Sequence, residues 1–196
     1  MKYLIWIIVI VAVVFGVWKL IQTNPDANIP KAEVAYESGE QAEDDGMMAP
    51  EVAFTTVDNA NVKVAFKGFG PGKVHDGSFS KVKSDLYFVG GALAGGVDVE
   101  VASLSTDTDA VTNHLNTKDF FDTAKFPNAN FKVTSMQGST LAGDMTIHGV
   151  TKSINFPMKV EGGAYVADFT LSLKDFGIDQ KFANEEFELI VNVPVS

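Results

Sequence analysis

Short stretches in which apolar and polar residues alternate occupy most of the chain after about residue 52. Clear examples are residues 62–66, 97–101 and 169–173. A period of two is typical of a strand that buries one face and exposes the other. The pattern therefore predicts an antiparallel, all-β domain over residues 52–196.

Glycine-containing turn signals separate these stretches, as at Gly90-Gly91 and Gly162-Gly163. His148-Gly149 lies between two alternating stretches, so it predicts a β-hairpin. Residues 108–121 have a different period, with apolar positions spaced as on a helix, and we expect a short helix or structured loop there. Several strands at this spacing favour a barrel or a sandwich.

The chain begins with an uncharged, apolar stretch at residues 3–18, with Lys2 before it and Lys19 after it. Continued through residue 21, the stretch reaches the roughly 20 residues that a bilayer-spanning helix needs. Residues 1–21 therefore predict a single transmembrane anchor. A cleaved signal peptide is the alternative, although no small-x-small cleavage site follows the stretch.

Residues 22–51 differ from both neighbours in composition. They contain three prolines and eight acidic residues against the single Lys31, with few large apolar side chains. Burial in such a segment does not offset the entropy lost on ordering. The composition predicts a flexible, disordered acidic linker between the anchor and the β-domain.

Charge and composition exclude several classes of function. The net charge is −10, and all 15 basic residues are lysines, which argues against a nucleic-acid partner. The absence of cysteine excludes disulfides and thiolate chemistry. None of the three histidines has a second ligand residue at metal spacing, and no hydrolase or nucleotide-binding motif is present. The sequence therefore predicts no metal site, no required cofactor and no enzyme.

The inward-facing positions are rich in phenylalanine and methionine, and the chain contains 15 phenylalanines. Unbranched methionine side chains adapt to irregular guests, and an eight-stranded barrel is wide enough for one small ligand. The composition leaves two interiors open: an apolar cavity that holds a ligand, and an ordinary close-packed core.

Several stretches in the middle of the chain resemble the YceI family in their residues, their order and their spacing. These are residues 114–122, 125–127, 130–135 and 141–152, and, more weakly, 77–79 and 86–88. The resemblance covers roughly residues 54–195. It implies an extended, antiparallel, eight-stranded, lipocalin-like β-barrel with a short helix or loop insertion. It also implies an exported bacterial protein that binds a polyisoprenoid chain inside the barrel.

Alternation and resemblance together give thirteen inward candidates for a lipid site, each with plain core packing as its alternative. We predict that they contact an isoprenoid-type lipid, such as an isoprenoid quinone or a polyprenyl chain, because burial of a long apolar tail alone supplies ample affinity. The candidates are Val64, Phe66, Phe79, Phe88, Val99, Phe131, Val133, Met145, Ile147, Phe156, Met158, Phe169 and Leu171.

The chain departs from the family pattern at two places that concern the polar end of the ligand. Residues 111–113 read Val-Thr-Asn where the family usually has an Arg-Asp pair, and Asn61-Val62 stands where a His-Ser pair is common. The headgroup is therefore left unassigned.

The expected role is a lipid carrier or storage protein at the outer face of the bacterial inner membrane. Its barrel would lie in the periplasm on a single-pass anchor, or be periplasmic or secreted after cleavage. Expected partners are the apolar lipid, the membrane, a membrane protein that handles redox chemistry or lipid, and a second copy of the chain. The alternative is a packed β-barrel that acts as an interaction module in an envelope stress response.

Overall fold

The computed structural model describes residues 23–34, 54–179 and 184–196. The predicted anchor, residues 1–21, and residues 22 and 35–51 of the predicted linker lie outside these ranges. Within the described ranges, no helix is long and apolar enough to cross a bilayer. The anchor therefore stays a prediction.

The described residues form fourteen strands and one short α-helix, α1 (Asp109–Asn116). The strands, in chain order, are β1 (Glu33–Val34), β2 (Lys63–Gly70), β3 (Lys73–Phe79), β4 (Val82–Ser84), β5 (Tyr87–Val89), β6 (Ala92–Ala94), β7 (Gly96–Glu100), β8 (Leu104–Thr106), β9 (Asn128–Gln137), β10 (Thr140–Ile147), β11 (Val150–Pro157), β12 (Lys159–Glu161), β13 (Ala164–Ser172) and β14 (Glu186–Pro194). The prediction of an all-β fold with a short helical insertion is confirmed.

The strands lie in two six-stranded sheets and a separate hairpin of β5 and β6. The first sheet has the order β1-β11-β10-β9-β7-β4, and the second has the order β12-β13-β14-β2-β3-β8. The described strands therefore do not form the single continuous sheet of a closed, eight-stranded barrel, and closure of the barrel stays a prediction. The difference arises because three extended segments, β3–β4, β7–β8 and β11–β12, are interrupted and pass from one sheet to the other. Such interruptions are a known way of making corners between sheets.

The two sheets meet at two corners. At the first corner, β3 and β8 belong to the second sheet, whereas the strands that continue them, β4 and β7, belong to the first. At the second corner, β11 ends at Pro157 and β12 then pairs with β13 across the gap. Pro157 has no backbone N–H to donate, so a ladder ends readily there.

The residues 23–34, which we call the strap, fill the remaining gap between β11 and β13. Ala32 N donates to Thr170 O at 2.7 Å, and Thr170 N donates to Pro30 O at 2.9 Å. Glu33 and Val34 pair with β11. Ala32 is only 6% exposed and belongs to the core. The prediction of a flexible linker is therefore wrong for the strap, because backbone hydrogen bonds and the buried Ala32 hold it in place.

The local predictions at the hairpin and the helix can be compared with the structure. His148 (φ 52°) and Gly149 (φ 75°) form a two-residue turn between β10 and β11, as predicted. The helix is shorter than residues 108–121, and Thr108 caps it by accepting from Val111 N. The chain after Asn116 forms turns that bring Phe121 into the core.

Candidate ligand cavity

An apolar cavity lies between the two sheets. Phenylalanine rings form much of its wall: Phe131 and Phe156 face it from the first sheet, and Phe169 and Phe187 face it from the second. Phe156 and Phe169 stack across the space between the sheets, with ring centroids 4.1 Å apart and planes 8° apart. Stacked and tilted aromatic pairs of this kind hold the two walls together.

Apolar side chains dominate the lining. Among the described residues that line the cavity, only Asn130 and His148 have polar side chains. The full lining is Val64, Phe79, Leu86, Leu93, Val97, Val99, Val101, Phe121, Phe126, Ala129, Asn130, Phe131, Val133, Leu141, Met145, Ile147, His148, Phe156, Met158, Phe169, Leu173, Phe187, Leu189, Val191 and Val193.

The cavity is narrow. The volume open to the centre of a water molecule is about 110 Å³, within about 1050 Å³ of space between atoms that is partly open to solvent. Pockets for small ligands commonly measure about 300–1,000 Å³. The cavity, at about 110 Å³, is smaller than this range, so a long ligand requires the walls to separate or the cavity to extend elsewhere.

Ten of the thirteen predicted site residues line this cavity. They are Val64, Phe79, Val99, Phe131, Val133, Met145, Ile147, Phe156, Met158 and Phe169. Nine of them stand on the inward face of a strand, and Met158 lies in the connection between β11 and β12. Whether they contact a lipid stays a prediction.

The other three candidates lie outside the lining. Phe66 is buried under the second sheet, where its ring occupies the place that a Cβ on Gly77 would take. Phe88 is half-buried in the hairpin, 6.1 Å from the ring of Tyr165. Leu171 is buried in the core without reaching the cavity.

Sequence reasoning missed two kinds of lining residue. Phe187, Leu189, Val191 and Val193 alternate along β14, so the period-two signal that found the other strands was present there too. Phe121 and its fellow loop residue Phe126 follow the helix in irregular turns. No periodic signal marks those two positions.

The polar lining residues stand at one end of the cavity, beside the β10–β11 turn. The ring of His148 lies 4.3 Å from that of Phe126, at 58°. Lys125 Nζ lies over the Phe126 ring, 4.8 Å from its centroid. Gly149 approaches the same ring so closely that a Cβ there would overlap it. Aromatic packing and a glycine with positive φ therefore fix this end of the cavity.

Several ionisable groups that lie outside the cavity lining have shifted pKa values. A hydrogen bond to Glu188 raises the pKa of Lys67, although partial burial opposes that effect. Hydrogen bonds from Lys73 and His75 lower the pKa of Asp107 on the surface. Burial raises the pKa of the Tyr165 phenol. In the described ranges, no cluster of three or more His, Asp or Glu side chains could hold a metal ion. The described lining of the cavity is therefore mainly apolar contact surface.

The fold and the cavity define an all-β protein with an apolar space between two sheets. A family model described as "YceI-like domain" matches residues 55–195. The chain therefore belongs to the YceI-like family, and the resemblance found in its sequence motifs is confirmed.

Curated relatives are similar over part of their length. A UPF0312 protein of Pseudomonas syringae pv. tomato is 39% identical over 97 residues, which are 42% of this chain and 50% of the relative. Protein YceI of Escherichia coli O157:H7 is 33% identical over 115 residues, 50% of this chain and 60% of the relative. The matches thus span about half of the relatives' length.

Solved structures share the fold at low sequence identity. BcnA of Burkholderia cenocepacia has a TM-score of 0.60 at 20% identity, covering 72% of this chain and 99% of that one. A polyisoprenoid binding domain from Saccharophagus degradans has a TM-score of 0.55 at 11% identity, covering 73% and 97%. Identities this low relate the folds alone.

Proposed function

We propose that this chain binds the tail of a long apolar isoprenoid-type lipid, such as an isoprenoid quinone or a polyprenyl chain, between its two sheets. The observation that carries the proposal is the lining, in which Asn130 and His148 are the only polar side chains among the described residues. A YceI-like family membership and a fold shared with a polyisoprenoid binding domain support it. Such a site recognises length and apolarity, and no enzyme activity or required cofactor is part of the proposal.

The proposed role is that of a carrier or storage protein at the outer face of the bacterial inner membrane, with the β-domain in the periplasm. The apolar residues 1–21 would keep it at the membrane surface, where the lipid is found. A membrane protein that handles redox chemistry or lipid would exchange the ligand with it. A second copy of the chain is a further partner to be tested.

A packed β-domain that acts as an interaction module in an envelope stress response is the competing proposal. The narrow cavity of about 110 Å³ favours it. Two features favour the lipid-binding proposal instead. Methionine side chains at Met145 and Met158 can change rotamer at small cost, and phenylalanine walls can slide apart without leaving a polar group unpaired.

A matched pair of variants on neighbouring positions of β10 tests the proposal. Met145 faces the cavity, whereas Thr146 faces outward and hydrogen-bonds Thr151. Full-length Met145→Lys and Thr146→Lys proteins are isolated from a bacterial host, extracted with organic solvent and analysed by mass spectrometry. Isoprenoid should copurify with wild type and with Thr146→Lys, and it should be lost from Met145→Lys, because an ammonium group in the cavity is costly to bury.

The comparison also controls for lipid held by the apolar N-terminus, since that segment is the same in all three proteins. Far-ultraviolet circular dichroism checks that each variant is folded. Equal amounts of isoprenoid in both variants would place the lipid outside the cavity. A lipid-free, folded wild type whose melting temperature does not rise with added geranylgeraniol would favour the packed module, because a ligand that binds the native state stabilises it.

A further inference from the structure

A second space adjoins the cavity at the second corner, and we call it the seam groove. Its rims are residues 28–30 of the strap and residues 157–160 of the β11–β12 connection, and Val166 and Asp168 of β13 complete its wall. By the same measure as the cavity, the seam groove measures about 480 Å³. It is therefore the roomier of the two spaces.

Met158 is the partition between the two spaces. It lines both the cavity and the seam groove, and it is 5% exposed. Its backbone N–H donates to Ser139 O, so the side chain could change rotamer while the backbone stays in place. A change of rotamer at one unbranched side chain would join the spaces. Their joint volume falls within the range of about 300–1,000 Å³ that ligand pockets commonly have.

The polar groups of the seam groove favour one kind of ligand head. Asp168 Oδ1 is buried and has no hydrogen-bond partner among the described residues. An unpaired buried acceptor is costly, and a ligand hydroxyl or N–H would satisfy it. Lys159, the basic group of the groove, is already paired with Glu161 at 3.0 Å. The groove is thus poorly suited to a phosphate and well suited to a group that donates a hydrogen bond.

From these observations we infer that the seam groove is a side mouth of the lipid cavity and holds the ligand's polar end. The tail lies between the sheets, Met158 turns aside, and a neutral head with a hydroxyl or N–H donor contacts Asp168 beneath the strap. This inference rests on the proposed function and assigns to it a headgroup class, an isoprenoid alcohol or hydroquinone rather than a phosphate. It also places the head at the opposite side of the cavity from His148.

The position of the head can be measured because the chain has no cysteine of its own. Nitroxide labels are attached to full-length Lys159→Cys, beside the groove, and to Lys125→Cys, beside the His148 end. The probe is a geranylgeranyl chain with a neutral nitrobenzoxadiazole-amine head, bound to the protein in phosphatidylcholine nanodiscs. Only the fluorescence that excess geranylgeraniol removes is counted, because the remainder comes from probe in the bilayer. The label at position 159 should quench this protein-bound fluorescence at least about threefold more than the label at position 125.

The head chemistry has its own test with Asp168→Asn and a matched control, Asp144→Asn, which removes the same charge from the outer face of β10. Wild type should bind geranylgeraniol at least about tenfold more tightly than geranylgeranyl phosphate. Asp168→Asn should lose most of this preference, and Asp144→Asn should keep it. Stronger quenching from position 125, or an unchanged preference in Asp168→Asn, would overturn the side mouth and leave lipid binding in place. Absence of any competed probe signal would overturn both proposals.

Discussion

The two corners that join the sheets are closed in different ways. At the first corner, the strands that change sheet bond to each other directly: Ser80 N donates to Ser103 O at 3.2 Å, and Glu100 N donates to Lys81 O at 3.1 Å. At the second corner, β12 pairs with β13 beyond Pro157, but β11 itself is separated from β13, and the strap pairs with both of them. One corner is closed from within the β-domain, and the other by a segment that precedes it.

This difference separates the global stability of the molecule from access to its cavity. The first corner can open only when the strands of both sheets part, which amounts to unfolding. The second can open when the strap leaves, because the two sheets remain joined at the first corner and through β12. Regions held by few apolar contacts and exposed hydrogen bonds open with lower free energy than a core. Under the proposed function, the second corner is therefore where we expect the ligand to enter the folded molecule.

The largest effect is expected from a charge at the first corner. Val101 is 4% exposed and lines the cavity, whereas its neighbour Ala102 is exposed. Val101→Lys should lower the free energy of unfolding by about 3 kcal/mol or more, because no local movement can bring the ammonium group to water. Urea denaturation measures the loss, and Ala102→Lys should shift the midpoint little. Equal midpoints for the two variants would show that this corner also opens locally.

A charge at the second corner should cost less. Ala32 is 6% exposed, but the strap can release it without unfolding the sheets. Ala32→Lys should therefore cost only the strap's own contribution, about 1–2 kcal/mol. Hydrogen exchange should quicken at the amides of Ala32 and Thr170, while amides of β10 stay protected. Glu33→Lys, at an exposed neighbouring position, serves as the control.

If Ala32→Lys instead destabilised the molecule as much as Val101→Lys, the strap would be part of the cooperative core. The two corners would then differ in construction and not in function. The side mouth would also lose its means of opening. A loss confined to the strap amides would sharpen the distinction between the corners.

These corners also mark where sequence reasoning worked and where it failed. Seven of the ten predicted lining positions followed from alternation, because a strand with one buried face repeats its apolar residues every second position. Phe79, Phe131 and Val133 followed from the family resemblance. The change of sheet at Pro157 could not be predicted from the sequence pattern, since it depends on which strand β12 pairs with. The sequence predicts a linker for the strap, because many of its contacts are backbone hydrogen bonds, which leave no hydrophobic period in the sequence. Ala32 is its one buried residue, and a lone alanine gives no signal.

The smallest effect concerns an exposed ion pair that ties the strap to β14. Lys31 Nζ lies 2.9 Å from Glu186 Oε1, and both side chains are well exposed. Lys31→Gln should lower stability by no more than about 0.5 kcal/mol, and less in high salt, as is usual for exposed pairs. Lys174→Gln is a matched control, because Lys174 pairs with Glu185 at 3.2 Å without touching the strap. Both variants should melt alike, but only Lys31→Gln should quicken strap exchange and probe entry. Equal entry rates for the two would mean that the strap does not limit access to the cavity.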